Sequence, residues 1–403
     1  MDRSERVRFH PVTTGNALAP SPYGAFRHAE HASWAAPSTR RAALREILLW
    51  WLVSRAVVMA GVLVLAALDG PGGHLGRSIV EHPFRLLEAW DGRWYVLVAQ
   101  HGYLSVPGQR SDPAFFPFFP ALMHAGNVAG IGAAGAGVLI ANLVFPLSLI
   151  ALYELGCQLL PEPLARRAAV YASVFPIGFA FSMAYPQSLV LLAVALAGVL
   201  AIRGQWIGCA VCLGLGTLAR PECFFVVVPV GVLVAQRWRV MPPLERGKAV
   251  GALLAGPTAL LSFPLYLGWT IHDPWAWSRA QAGWGRSFQL DGPLRLAEQL
   301  PQQLAQNPWL VRDVVAVGVY AWLFVVARRA GVPLAWVVAG ALVVAVPLMS
   351  GSVMSEARFG LLAPALYWGL ASATATPRRY RIGRSACLVL LAIGTLTLPF
   401  VFP

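Results

Sequence analysis

One carboxylate, Asp91, stands inside the aromatic stretch EAWDGRWYVLVAQHGY, residues 88–103, among Trp90, Trp94, Tyr95 and Tyr103. In a short helix Asp91 and Tyr95, four apart, share a face, and Trp90 and Trp94 share the adjoining one. Tryptophans so placed suit the headgroup level of a bilayer. An acid hung over that surface can take a proton from an attacking hydroxyl, orient that hydroxyl, or hold a metal. It can equally cap the helix or pair with Arg85 or Arg93.

Further polar groups crowd the ends of apolar runs: Tyr185-Pro186-Gln187, Arg220-Pro221-Glu222, His272-Asp273-Pro274, Gln281, Trp284, Arg286, Glu356 and Arg358. Ionisable groups are costly beside lipid and by default line a wet cavity. Carboxylates, arginines and aromatic rings together suit a sugar carrying a phosphate. Rings stack on a pyranose, and guanidinium forks match phosphate oxygens while staying charged. Each has a plainer reading. Arg220 and Glu222 can pair with each other, Arg358 can pair with Glu356 or a lipid headgroup, and His101 can be structural. Gly283 and Gly285 permit unusual backbone around Trp284, but no strand precedes them to make a phosphate loop. No His and acid spacing resembles a zinc site, so neither metal nor cofactor is expected.

The elements that must hold these groups are membrane helices. The 403 residues are 57% hydrophobic and 12% charged, about half the charge of a soluble domain, and the mean hydropathy is +0.61. Apolar runs reach the roughly 20 residues that span a bilayer, and they are continuous rather than alternating, which excludes a barrel. The net charge of +13 reads as cytoplasmic loops rather than a nucleic-acid surface. The five cysteines, Cys209-x-x-Cys212 among them, lie in or beside apolar runs and read as packing residues. Residues 1–43 read as a disordered cytoplasmic tail without a cleavable signal.

Arg40, Arg41 and Arg45 keep the start of the first run, residues 47–68, inside. A large external loop follows, residues 69–132, with Glu81, Glu88, Asp91 and Asp112. Within it FFPFFPALM, residues 115–123, is short and proline-broken, a re-entrant or surface-lying segment. Ten more runs alternate in direction: residues 133–157, 168–183, 188–202, 207–218, 224–235, 250–270, 311–327, 332–350, 359–372 and 386–402. A second external loop covers residues 271–309. The fold expected is all-α and polytopic, with about 11 crossings, some short enough to need their polar flanks. Every dense arginine cluster then falls inside and both large loops fall outside.

Several blocks resemble one family. AWDGRWYVLVAQHGY is similar to the first-loop signature of the PIG-V mannosyltransferases, and AFFPFFPALM resembles the element after it. FSMAYPQSLVLL resembles a span end of that family, with Gln187 where Glu is common; LARPECFF, HDPWAWSRAQAGWGR and SEARFGLLAPAL resemble its later blocks, the second of these as in bacterial members. The blocks run in family order across residues 44–370. The resemblance implies a GT-C glycosyltransferase fold that takes mannose from a polyprenyl-phosphate donor, with inversion, on the external face of the cell membrane. The acceptor would be a glycolipid or glycan. It assigns Asp91 the catalytic role, as base or acceptor-orienting acid. Trp90, Trp94, Tyr95, Tyr185, Gln187, Arg220, Glu222, Asp273, Gln281, Trp284, Arg286, Glu356 and Arg358 are the expected donor- and acceptor-binding set. A transporter or flippase for a lipid-linked sugar is the competing expectation. That class places acids and broken helices at mid-membrane in related halves, whereas here the ionisable groups crowd one side.

Overall fold

A computed structural model describes residues 37–69, 84–106 and 109–398. Among them every regular element is helical. In chain order the α-helices are α1 (Pro37–Asp69), α2 (Asp91–His101), α3 (Phe118–Val128), α4 (Ala133–Leu159), α5 (Glu162–Val174), α6 (Gln187–Ile202), α7 (Trp206–Ala219) and α8 (Val227–Arg237). There follow α9 (Pro243–Thr270), α10 (Ala276–Gly283), α11 (Gly292–Gln306), α12 (Val311–Arg329), α13 (Leu334–Leu348), α14 (Glu356–Phe359), α15 (Pro364–Ala373) and α16 (Pro377–Leu396).

Four stretches among the described residues are long and apolar enough to cross a membrane: Ser38–Leu68, Ala133–Leu159, Pro243–Thr270 and Pro308–Arg329. Helices α6, α7 and α13 are apolar but shorter. Helix α3, in FFPFFPALM, has 11 residues, about 16 Å at 1.5 Å per residue, and is too short to cross.

Three expected spans are broken rather than continuous. Helix α5 ends at Val174 and a 3-10 turn, Gly178–Phe181, completes the segment. A 3-10 turn at Pro221–Val226 precedes α8, and another at Gly360–Leu362 separates α14 from α15. Irregular backbone survives at membrane depth where protein buries it or where it lines a cavity. Two helix starts also differ from expectation. Helix α1 begins at Pro37, inside the segment read as tail, whose residues 1–36 lie outside the described residues. Helix α16 begins at Pro377, so Arg378, Arg379, Arg381 and Arg384 lie on helix rather than loop. In both, proline sits in the first turn, where its missing N–H costs nothing. Of the first external loop, residues 70–83, Glu81 included, and 107–108 lie outside the described residues.

Helix α5 lies deep in the bundle, where Ala165, Ala168, Ala169, Ala172 and Ser173 are fully buried. Small side chains let α4, α1 and α15 approach it closely. Cys209 and Cys223 are buried and all five cysteines are free. Helix α6 joins two polar regions. It starts beside Tyr185 and ends at Arg203, 16 residues on, about 24 Å away.

Above the start of α6 the long loops meet backbone to backbone. A Cβ on Gly283 would stand 2.3 Å from the Gln109 carbonyl oxygen, and one on Gly292 would stand 2.2 Å from that of Met349. Asp112 fastens the first loop by accepting the Leu104 N–H at 2.8 Å, and burial pushes its carboxyl up to about 6.

Candidate functional site

Under those crossed loops lies a cavity of about 460 Å³, within the range of small-ligand sites. Its charged lining residues are Asp91, Arg220, Glu222, Arg286 and Arg358. Tyr95, Phe115, Trp277, Gln281, Trp284 and Phe359 supply much of the rest. Residues from four distant stretches of chain thus share one chamber.

Asp91 is the first residue of α2, held there by Trp90 in a left-handed turn (φ 58°). Its Oδ2 lies 2.6 Å from Nη2 of Arg358, a side chain only 3% exposed. The partner is therefore neither Arg85 nor Arg93, and Arg358 turns to Asp91 rather than to Glu356. Asp91 and Tyr95 do share the cavity face of α2. Tyr95 packs edge-on to Phe115 and Phe119 at 5.0 and 5.3 Å.

Phe359 is the centre of the positive wall. The guanidiniums of Arg220, Arg286 and Arg358 lie 5.0, 5.0 and 5.8 Å from its ring centroid. Arg358 also lies 5.0 Å from the ring of Tyr185. Ring faces carry partial negative charge and hold cations there without neutralising them. Glu222 binds Arg220 in bidentate fashion at 2.6 and 3.1 Å, so the expected mutual pairing of these two exists. Burial pulls the Arg220 guanidinium down, but Glu222, Tyr95 and Asp91 together more than offset this and the net shift is upward. Arg286 donates to the Met354 carbonyl at 3.0 Å, and burial, with Arg358 nearby, lowers its guanidinium from the ordinary value. Three cations face two carboxylates across this chamber, an excess of positive charge that attracts an anion.

Glu356 is the third acid here and does not line the cavity. It is fully buried, and neither carboxyl oxygen has a hydrogen-bond partner. Burial pushes it up to about 9, against the pull of Arg286, so at neutral pH it is protonated and leaves the positive excess in place.

The expected binding set divides in two. Tyr95, Arg220, Glu222, Gln281, Trp284, Arg286 and Arg358 line the chamber with Asp91. Trp90, Trp94, Tyr185, Gln187, Asp273 and Glu356 do not. Trp90 bonds the Leu398 carbonyl at 3.0 Å through its indole N–H. Trp94 stacks on Phe115 and meets Trp284 edge-on at 5.4 Å, a buttress behind the lining rather than a headgroup anchor. Tyr185 donates to the Ala89 carbonyl at 3.2 Å and supports Arg358 from behind. Gln187 is wholly buried at the first turn of α6, with no hydrogen-bond partner on its amide. Asp273 is spent locally, accepting the Trp275 N–H at 3.1 Å in an Asx turn ahead of α10 and pairing with Arg279.

Sequence reasoning missed Phe359 and Asp313. Asp313 is 1% exposed and accepts the Ala357 N–H at 2.9 Å, while Tyr320 donates to the Ala357 carbonyl at 2.6 Å. Two side chains of α12 thus grip the backbone N–H and carbonyl of Ala357, next to Arg358, after Ser355 has taken a left-handed turn (φ 68°). The available signal was an acid at the mouth of an apolar run, VRDVV, where a charge needs a reason.

Compared with protein-family models, the chain matches none. No curated protein matches it either.

Proposed function

We propose that the protein is a multi-pass membrane glycosyltransferase of the GT-C type, taking a sugar from a polyprenyl-phosphate donor and giving it to a hydroxyl of an external glycolipid or glycan. By the resemblance stated above, the sugar is mannose. The shorter and broken helices complete about 11 crossings together with the four long ones, because paired short helices with polar ends reach both interfaces. The start of α1, with its arginines, is cytoplasmic, and the chamber opens outside.

The observation that carries this reading is the Asp91–Arg358 contact inside a chamber with a positive excess and aromatic walls. A lipid phosphate entering the chamber competes with Asp91 for Arg358, since guanidinium forks bind phosphate as they bind carboxylate. Once Arg358 turns to the phosphate, Asp91 is free for the acceptor. The acceptor oxygen attacks the anomeric carbon, the bond from that carbon to the phosphate oxygen breaks, and its electron pair stays on the phosphate. Asp91 takes the acceptor proton. Charge develops on the leaving phosphate and on an oxocarbenium-like sugar. The arginines around Phe359 stabilise the first, while Trp284, Phe115 and Tyr95 supply faces for the second.

The test supplies purified protein in lipid with labelled polyprenyl-phosphate mannose and candidate acceptors. Consumption of the donor is the expected result. Passage of intact donor between leaflets without consumption assigns the chamber to a transporter instead. Asp91→Asn is expected to fold and to lose about 10²–10⁴ in rate, the usual share of a general base; wild-type turnover in that variant removes Asp91 from the mechanism.

A further inference from the structure

A second cavity, larger than the first, lies at the far end of the bundle, and nothing in the proposed reaction uses it. It is a trough of about 800 Å³ between α4 and α6, closed on one side by the start of α1. Its apolar wall follows two helical stripes. Leu147, Ile150, Ala151 and Glu154 run along α4 at spacings of three, one and three; Leu192, Leu196, Val199 and Arg203 run along α6 at spacings of four, three and four. Both stripes are continuous faces of a helix, and both end in a charged residue at the same rim. From Leu192 to Arg203 the trough runs about 16 Å, enough for a long stretch of acyl chain.

The rim is built rather than incidental. Glu154 binds Arg40 through Oε1 at 2.5 Å and faces Arg203 through Oε2 at 3.9 Å. Its side chain is 14% exposed, while those of Arg40 and Arg203 are 43% and 38% exposed. The acid therefore sits between two guanidiniums, both of which remain partly exposed. Arg41, also exposed, adds a third. Among the described residues, three cations against one acid above an apolar trough match an amphiphile with an anionic head.

We propose that this trough is a binding site for an anionic phospholipid, its phosphate held by Arg40, Arg41 and Arg203 and one acyl chain lying between α4 and α6. Basic pockets between membrane helices bind phosphorylated lipid heads in this way. The inference needs only that the bundle sits in a membrane and is independent of sugar transfer.

Native mass spectrometry of the full-length protein, titrated with phosphatidylglycerol or phosphatidylcholine, tests it. Phosphatidylglycerol adducts are expected to form preferentially. They are expected to fall about a hundredfold in Arg40→Gln/Arg41→Gln/Arg203→Gln, since each basic residue near the surface contributes roughly fivefold in affinity and the three multiply. They are expected to persist in Arg328→Gln/Arg329→Gln, which removes exposed cations elsewhere. Leu196→Trp keeps the rim and fills the trough, and it is expected to lose the adducts too, so the result does not depend on folding of the triple variant. Equal binding of the two lipids, or unchanged adducts in both Leu196→Trp and the triple variant, overturns the proposal.

Discussion

The chamber around Phe359 and the ion cluster around Glu46 are built from the same residue types and behave as opposites. At Glu46 the acid pairs with Arg166, accepts the Tyr380 hydroxyl at 3.2 Å and lies 4.0 Å from Arg384. Arg384 rests 3.8 Å above the ring of Trp50. The side chains there are 18–32% exposed, and each charge has partners on more than one helix. In the chamber, Arg358 is 3% exposed and positive charge is in excess; behind it Glu356 is fully buried with no hydrogen bond to its carboxyl. A buried ion pair gains little net stability once its desolvation is counted. The Glu46 cluster joins helix ends; the chamber keeps an excess of positive charge facing a cavity.

Removing Arg358 tests that difference most sharply. Arg358→Gln is expected to lower transfer by about 10²–10³, the scale of losing one oxyanion-type contact. Arg358→Lys is expected to recover little, because a point charge does not reproduce the planar fork. Steady-state kinetics with varied donor check both, and full activity in either breaks the contrast between the two ends.

Next in size is Asp313→Ala. It strands the Ala357 N–H and is expected to cost about 1–3 kcal/mol in stability, with a fall in kcat as Arg358 loses its seat. Asp313→Asn keeps an acceptor and is expected to restore most of kcat. Thermal unfolding alongside kinetics separates the two effects; an inactive but stable Asp313→Asn indicates a role for the charge itself.

Glu356 gives a smaller effect that depends on pH. Between about 4.5 and 9 the folded chain keeps a proton there that the unfolded chain releases. Stability contributed by this position therefore falls as pH rises through that window. Glu356→Gln, which cannot ionise, is expected to flatten the decline in melting temperature from pH 6 to 10. An unchanged slope shows that the carboxyl is already ionised at neutral pH.

The smallest effect is expected at the other end. Glu46→Gln is predicted to lower stability by about 1 kcal/mol or less, as for partly exposed ion pairs, with transfer unchanged. A large loss of activity there ends the division of labour between the two clusters.

The membrane character of the chain and its all-helical class were legible in the sequence because apolar runs of this length have one stable form in lipid. The chamber was legible in part. Asp91, Arg220, Arg286 and Arg358 were found because charge beside an apolar run is costly wherever it lies. Tyr185, Gln187 and Glu356 were expected in the chamber and stand behind it, because sequence places a residue at a span end but does not say which way its helix is turned. Asp273 was expected there too, but its carboxylate is taken up by the nearby Trp275 N–H and Arg279. Phe359 was hidden in an apolar run, since nothing in one sequence separates a ring that packs from a ring that carries three cations.

The two glycine crossings above the chamber have a consequence for altering this protein. At Gly283 and Gly292 main chain lies against main chain, so neither junction offers a side chain to be exchanged for another of different size. Reshaping the chamber does better to vary Phe288, Trp277 and Phe225, which line it, and to leave both glycines alone. A methyl group at either would push the two main chains apart and open the roof of the chamber to bulk water.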